Sequence, residues 1–317
     1  MIDPKLVRLE VELKRMSSDA NRLINKKRTG VMKPYGKAAL WVGVLSLAMV
    51  WVLSPAISMA HSLYIQSSRY QVAEGKSSPL FFCYGHRVPV DDGVRAKKLK
   101  KVEVRTPGGE KKQVAIRPEK GLHSYMVKYE KPGTYVLSAE TNPGYYTVYI
   151  DKKGRERHAV KPKSAIKDKA REIKKSLYSK QFSKTYVVCE TPSEKFPARI
   201  GQKLELVPST DVSKLKAGDT LGLQVYFKGE PYRSQGTWDG TYNGFSTESE
   251  DFYFPKTKVS GPSVKVVIPH AGRWFIRYFI KIPATGKDRE QYTQEKNTAT
   301  LVFEVPNKRK RPKTSSH

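Results

Sequence analysis

From position 63 onward, apolar residues come in short runs separated by turn signals, with no sustained helical period between them. A first set falls at 63–65, 80–84, 102–105, 114–117, 125–129, 135–139 and 145–150. Pro107-Gly108-Gly109 and Pro132-Gly133 punctuate it, and even spacing of this kind predicts an antiparallel sandwich. A second set repeats the style at 186–189, 204–207, 221–227, 264–268, 274–282 and 300–305. Late in each set a tight turn feeds a strand carrying an aromatic residue. The two segments are Lys131-Pro132-Gly133-Thr134-Tyr135-Val136 and His270-Ala271-Gly272-Arg273-Trp274-Phe275. The predicted fold is all-β, two immunoglobulin-like antiparallel β-sandwich lobes at 61–150 and 183–306, with the paired segments suggesting a duplication.

Two stretches depart from this pattern. Between the lobes, at 151–182, Ile166, Ala170, Ile173 and Leu177 fall at helical spacing amid Lys and Arg. This predicts a linker containing a short basic helix, which either packs on the nearest lobe or touches acidic lipid. Nearer the start, Lys33 and Lys37 precede an uncharged run at 38–53. Ser54-Pro55 and the small-residue site Ser58-Met59-Ala60 follow it. A basic region, an apolar core and a small-x-small site make a secretory signal at 32–60, cleaved before His61. The other reading is an uncleaved anchor, because the 23 residues at 38–60 carry no charge and are long enough to span a bilayer. Residues 1–31 are then a cytoplasmic extension or a start assigned too early, and 307–317 a basic tail predicted to be disordered. Either reading places the lobes outside the inner membrane, in the periplasm.

Charge narrows the partners. The chain of 317 residues has 59 Lys and Arg against 30 Asp and Glu, a net charge of +29. Setting aside residues 1–60 leaves a net charge of +23, so the basic character belongs to the lobes. No zinc-finger spacing or aromatic RNA-binding strand is present, and export also argues against nucleic acid. An anionic membrane surface remains compatible with this charge.

Histidine is the candidate chemistry. Once Ala60 is removed, His61 offers a free α-amine and an imidazole that together chelate one ion of the nickel, copper or zinc type. His86 follows an apolar strand in Cys83-Tyr84-Gly85-His86-Arg87-Val88-Pro89, where a loop presents ligands. His123 begins another strand of the same lobe. These three are the predicted metal ligands. Cys83 and Cys189, the only cysteines, form either a disulfide or two buried thiols. Glu248, Glu250 and Asp251 form either a solvated loop or a source of oxygen ligands. No nucleophile triad, paired carboxylates or glycine-rich phosphate loop is evident, so the chain is not predicted to be an enzyme.

Several segments together resemble a known family. They are Ala60-His61, Tyr84-Gly85-His86-Arg87-Val88-Pro89 and Gly144-Tyr145-Tyr146-Thr147, then Ile200-Gly201-Gln202-Lys203-Leu204-Glu205-Leu206-Val207-Pro208. Gly218-Asp219-Thr220-Leu221, Phe227-Lys228-Gly229-Glu230-Pro231 and Ala271-Gly272-Arg273-Trp274 continue the series. In this order they resemble a bacterial periplasmic domain of unassigned function associated with nickel and cobalt uptake, the NikM-type nickel transport complex component. The resemblance spans 60–306 and implies a periplasmic accessory that captures a transition-metal ion, nickel or cobalt, for an inner-membrane importer. It carries over to His61 and the Gly85-His86 motif. The competing expectation is a surface or periplasmic module that binds protein or glycan without metal. A copper oxygenase of polysaccharides and a copper carrier are weaker alternatives, the carrier because the chain has only 6 Met and no Met cluster.

Overall fold

The computed structural model describes residues 61–118, 123–248 and 251–307. Eighteen strands follow one another along them. They are β1 (Ser62–Ser67), β2 (Gln71–Val72), β3 (Ser77–Gly85), β4 (Leu99–Arg105), β5 (Lys111–Gln113), β6 (His123–Lys128) and β7 (Gly133–Thr141). Then come β8 (Gly144–Asp151), β9 (Glu156–Ala159), β10 (Ala170–Cys189), β11 (Leu204–Pro208), β12 (Thr220–Phe227) and β13 (Glu230–Pro231). The last five are β14 (Gln235–Tyr242), β15 (Phe254–Ser260), β16 (Ser263–Val267), β17 (Gly272–Pro283) and β18 (Gln294–Val305). The expected signal or anchor, the extension before it and all but the first residue of the basic tail lie outside the described residues. Among the described residues no helix is long and apolar enough to cross a membrane.

The strands form two sandwiches that share one sheet, as the all-β expectation requires. In the first lobe β1-β3-β6 faces β10-β7-β4-β5; in the second β11-β12-β16 faces β10-β18-β17-β14-β15. Both orders match the immunoglobulin plan, with strands A-B-E opposite G-F-C-C′. In each lobe a short or shared first strand also pairs in parallel with the last: β2 with β10, and β10 with β18. Strand β10 therefore closes the first lobe and opens the second. Alternation along the strands supplies the cores, since side chains on a strand point to opposite faces in turn. Leu63, Ile65, Leu80, Phe82, Leu137 and Ala139 fill the first, and Leu221, Leu223, Val225, Trp274, Ile276 and Leu301 the second. Each fully buried Leu, Ile or Phe contributes roughly 1.5–3 kcal/mol.

A third contact joins the lobes. The opposite face of β1-β3, with Tyr64 and Cys83, lies on Phe275 and Val302 of β17-β18. Polar side chains of the second sheet also bond the β1 backbone: Leu63 N donates to Gln181 Oε1 (2.5 Å) and Ile65 N to Ser183 Oγ (3.0 Å). Thr300 Oγ1 donates to the Leu63 carbonyl (2.8 Å). The first strand is thus pinned across the junction at its own backbone.

The expected linker helix is corrected. Residues 163–169 form a 3-10 turn in which only Ile166 is buried, and 170–189 are the long strand β10. Ile166 and Leu177 therefore belong to different elements, and their helical spacing is a coincidence of a turn running into a strand. Strand β10 is paired with β8 as far as Ser179, with β18 over 177–185, and with β7 over 186–189, where β2 takes its other edge at Val188 and Cys189. Tyr178, Phe182, Thr185, Tyr186, Val187 and Val188 suit such a position, and the pairing overrides the short helical pattern. The run at 114–117 forms no strand, while β14 and β15 were not apparent from apolar runs.

Candidate functional site

The register of β1 against β3 places two of the predicted ligands together. Ser62 pairs with Gly85, so the next residues outward, His61 and His86, face each other where the ladder ends. Their ring centroids are 5.3 Å apart and the planes tilted by 35°. His61 also stacks on Tyr84 at 5.7 Å, and Lys98 Nζ lies 3.9 Å from the centre of the Tyr84 ring. Gln181 Nε2 donates to the His61 carbonyl (3.0 Å) and to Tyr84 Oη (3.3 Å), fixing the start of β1.

The chain beyond β3 is folded back by a carboxylate. Asp91 Oδ2 accepts from the backbone N–H of His86 (2.5 Å) and Arg87 (2.9 Å), and Oδ1 from Asp92 N (2.9 Å). Burial works against charge on Asp91, but these amides outweigh it and hold the carboxyl below its ordinary range. A Cβ at position 85 would overlap the Asp91 side chain, so Gly85 permits the close approach that sets His86. Next to His86, the residues Arg87, Val88, Pro89 and Val90 line an open groove of about 620 Å³ with Gly244 and Phe245.

The second lobe supplies the other side. Arg277 on β17 makes a two-pronged ion pair with Asp239 on β14, Nε to Oδ1 at 2.9 Å and Nη2 to Oδ2 at 2.5 Å. Both residues are buried. The remaining nitrogen, Nη1, donates to Ser62 Oγ (3.0 Å) and to His86 Nδ1 (3.2 Å). A guanidinium only donates, so Nδ1 of His86 is the acceptor and the proton of the neutral ring sits on Nε2. Phe252 covers the guanidinium at 5.0 Å.

His123 is not placed with this pair. It opens β6 opposite Phe82, four residues back along β3 from His86, or about 13 Å at the rise of a strand. His158 bonds to Tyr146 (2.5 Å), and the His270 ring packs on Tyr242 (5.1 Å) in the second lobe. Cys83 and Cys189 are separate buried thiols, and burial pushes both up. Glu250 lies outside the described residues. Among the described residues no three His, Cys, Asp or Glu side chains form a metal-sized cluster. The arrangement thus offers two imidazoles, an α-amine if the chain is cleaved before His61, and a guanidinium already on one of the ring nitrogens. Asp239 and Arg277 were missed by sequence reasoning, although an arginine inside Trp274-Phe275-Ile276-Arg277-Tyr278-Phe279-Ile280 is itself a signal of a buried charge with a partner.

Comparison with solved structures finds distant likenesses. A Salmonella alpha-2-macroglobulin mutant is 11% identical over 80% of this chain and 15% of its own, with a TM-score of 0.22. Escherichia coli alpha-2-macroglobulin activated by porcine elastase is 10% identical over 78% of this chain and 20% of its own, at 0.22. The ectodomain of mouse nectin-like molecule 4 is 11% identical over 80% of this chain and 67% of its own, at 0.18. The chain thus spans a fifth or less of these macroglobulins. No curated protein matches. The profile of one family does match, over residues 58–281, and the chain belongs to that family, the domain of unknown function DUF4198.

Proposed function

We propose that this protein is a periplasmic accessory of a nickel- or cobalt-type uptake system. It binds the divalent ion as cargo through His61 and His86 and delivers it to an inner-membrane importer. The observation that carries this reading is the meeting of the two imidazoles, 5.3 Å apart at the end of the β1–β3 ladder. Removal of the signal before His61 adds the α-amine, giving three nitrogen donors of the kind that borderline cations prefer. Nδ1 of His86 becomes a ligand when the imidazole turns away from Arg277 Nη1; the planar guanidinium is held where it is by its two bonds to Asp239, and Nη1 keeps Ser62 Oγ. Ligation through Nε2 would instead move the ring proton to Nδ1, against the guanidinium donor.

The test is titration of the exported protein with Ni(II), Co(II), Cu(II) and Zn(II), after N-terminal sequencing of the same sample. The expected result is a chain that starts at His61 and binds one ion, with binding lost in His61→Ala. Absence of binding, or binding indifferent to His61→Ala, rules the reading out. The second reading is a module that binds protein or glycan without metal. It is favoured by Arg277, which already satisfies His86, and capture of a partner unaffected by chelators would establish it.

A further inference from the structure

The sheet face that carries Arg277 continues past the histidines and becomes basic. Lys281 on β17 and Lys296 on β18 are direct cross-strand partners, and Lys296 is in turn opposite Ser179 on β10. Alternation puts Lys281, Phe279 and Arg277 on one face of β17, and Lys296, Thr298 and Thr300 on the same face of β18. The two ammonium groups gather over one ring: Lys296 Nζ lies 4.8 Å and Lys281 Nζ 6.0 Å from the centre of Phe279. Lys175 of β10 is near enough for its charge to be felt at Lys296, as is that of Arg277. Among the described residues no carboxylate pairs with Lys175, Lys281 or Lys296. Like charges placed directly opposite each other in a sheet are unfavourable unless something else holds them.

This basic face adjoins the histidine pair. Thr298 is the cross-strand partner of Gln181, whose side chain bonds the His61 carbonyl. Lys296 is two residues further along β18, about 7 Å at the rise of a strand. Thr298 Oγ1 lies between the two, is fully buried on this face, and has no hydrogen-bond partner among the described residues. Burial and the neighbouring positive charges bring Lys296 down to about 7, so an arriving anion would restore its proton. A bare divalent cation would approach against all of these charges. An anionic complex of the same metal would not.

We propose that the cargo of His61 and His86 is a divalent metal already held by a polycarboxylate, with the metal at the imidazoles and the remaining carboxylates on Lys281, Lys296 and Lys175. This rests on the metal reading above and specifies its substrate class. The lysines act as an anion seat, strengthened by charge-assisted hydrogen bonds to carboxylate oxygen. They also account for how an exported chain of net charge +23 takes up a cation.

The experiment is calorimetric titration of the exported, N-terminally sequenced protein with nickel chloride, with the 1:1 nickel–citrate complex, and with citrate alone. The complex is expected to bind about tenfold or more tightly than nickel chloride, a difference of about 1.4 kcal/mol. The double variant Lys281→Gln, Lys296→Gln is expected to lose that advantage and keep its binding of nickel chloride, while His61→Ala loses both ligands. Nickel chloride binding as tightly as the complex, or the complex binding equally well to the double variant, overturns the proposal and leaves the metal reading standing. Failure of both nickel ligands to bind overturns the metal reading and this proposal together. Citrate binding alone as tightly as the complex, unaffected by His61→Ala, also overturns it by showing an anion site without metal. Unchanged circular dichroism of the double variant establishes that its fold is intact; replacing two like-charged neighbours by neutral residues removes repulsion rather than contacts.

Discussion

The two lobes repeat one scaffold and satisfy the buried acid on the C strand in different ways. Each F strand begins at a glycine with positive φ, Gly133 at 129° and Gly272 at 138°. Two residues later each carries a buried aromatic residue that bonds the carbonyl four residues back: Tyr135 Oη to Lys131 (3.2 Å) and Trp274 Nε1 to His270 (2.9 Å). Counting on from these corners, Ser138 in the first lobe corresponds to Arg277 in the second. Each faces a buried acid on its C strand, Glu103 opposite Ser138 and Asp239 opposite Arg277. Glu103 is satisfied along its own strand by Lys101 (2.7 Å) and Arg105 (3.5 Å), whereas Asp239 is satisfied across the sheet by Arg277. A buried acid at this place therefore does not need an arginine on the F strand. What Arg277 adds is reach, because its third nitrogen leaves the lobe and meets Ser62 and His86 of the other.

The largest expected effect breaks the comparison at those acids. Asp239→Asn strands a buried guanidinium and should cost about 3–5 kcal/mol in denaturant unfolding. Glu103→Gln, with a lysine partner that is 37% exposed, should cost about 1 kcal/mol or less. Equal losses would mean that the two pairs are energetically the same despite their geometry. Asp239→Asn should also release Arg277 from its second anchor, so the His86 ring resonances should shift in NMR while those of His158 stay put.

An intermediate effect tests the shared corner. Gly133→Ala and Gly272→Ala place a Cβ where the backbone conformation is costly for any L-residue, and each should lose about 1–3 kcal/mol. Gly133→Ala should lose more, because its Cβ would fall 2.5 Å from Pro107 Cβ whereas that of Gly272 meets Asn243 Oδ1 at 2.9 Å. The reverse ranking in thermal unfolding would show that the corners are not equivalent.

These corners were legible in the sequence, because a Pro-Gly or Ala-Gly turn followed by an aromatic strand is a local signal. The sandwich class was legible for the same reason. The linker was not: β10 becomes a strand through neighbours more than a hundred residues away, and no local pattern carries that information. The histidine pair was half legible. Each residue could be placed at a strand end, but their meeting depends on the β1–β3 register, which the hydrophobic alternation alone leaves open by steps of two. Arg277 was hidden by its surroundings, because its apolar neighbours made the whole segment read as core.

The smallest expected effect concerns the basic face formed by Lys281, Lys296 and Lys175. Burial first, then Arg277, Lys175 and Lys281, lower Lys296 against the pull of Asp239, to about 7. Between about pH 7 and the ordinary lysine value of 10.5, the unfolded chain holds a proton at this position that the folded chain has shed. Stability therefore rises with pH across this window wherever Lys296 dominates, and the cost of keeping it charged is fully present below pH 7. Each pKa unit corresponds to about 1.4 kcal/mol before screening. Because the ammonium is only partly withdrawn from water, the net change across the window should amount to about 1 kcal/mol. Lys296→Gln removes the group that titrates, so its unfolding free energy should be higher than that of the parent at pH 6, with the gap narrowing as pH rises towards 10.5. A pH dependence as steep as the parent's in Lys296→Gln would assign the slope to other groups, and would mean that this face of the second lobe bears its charge without strain.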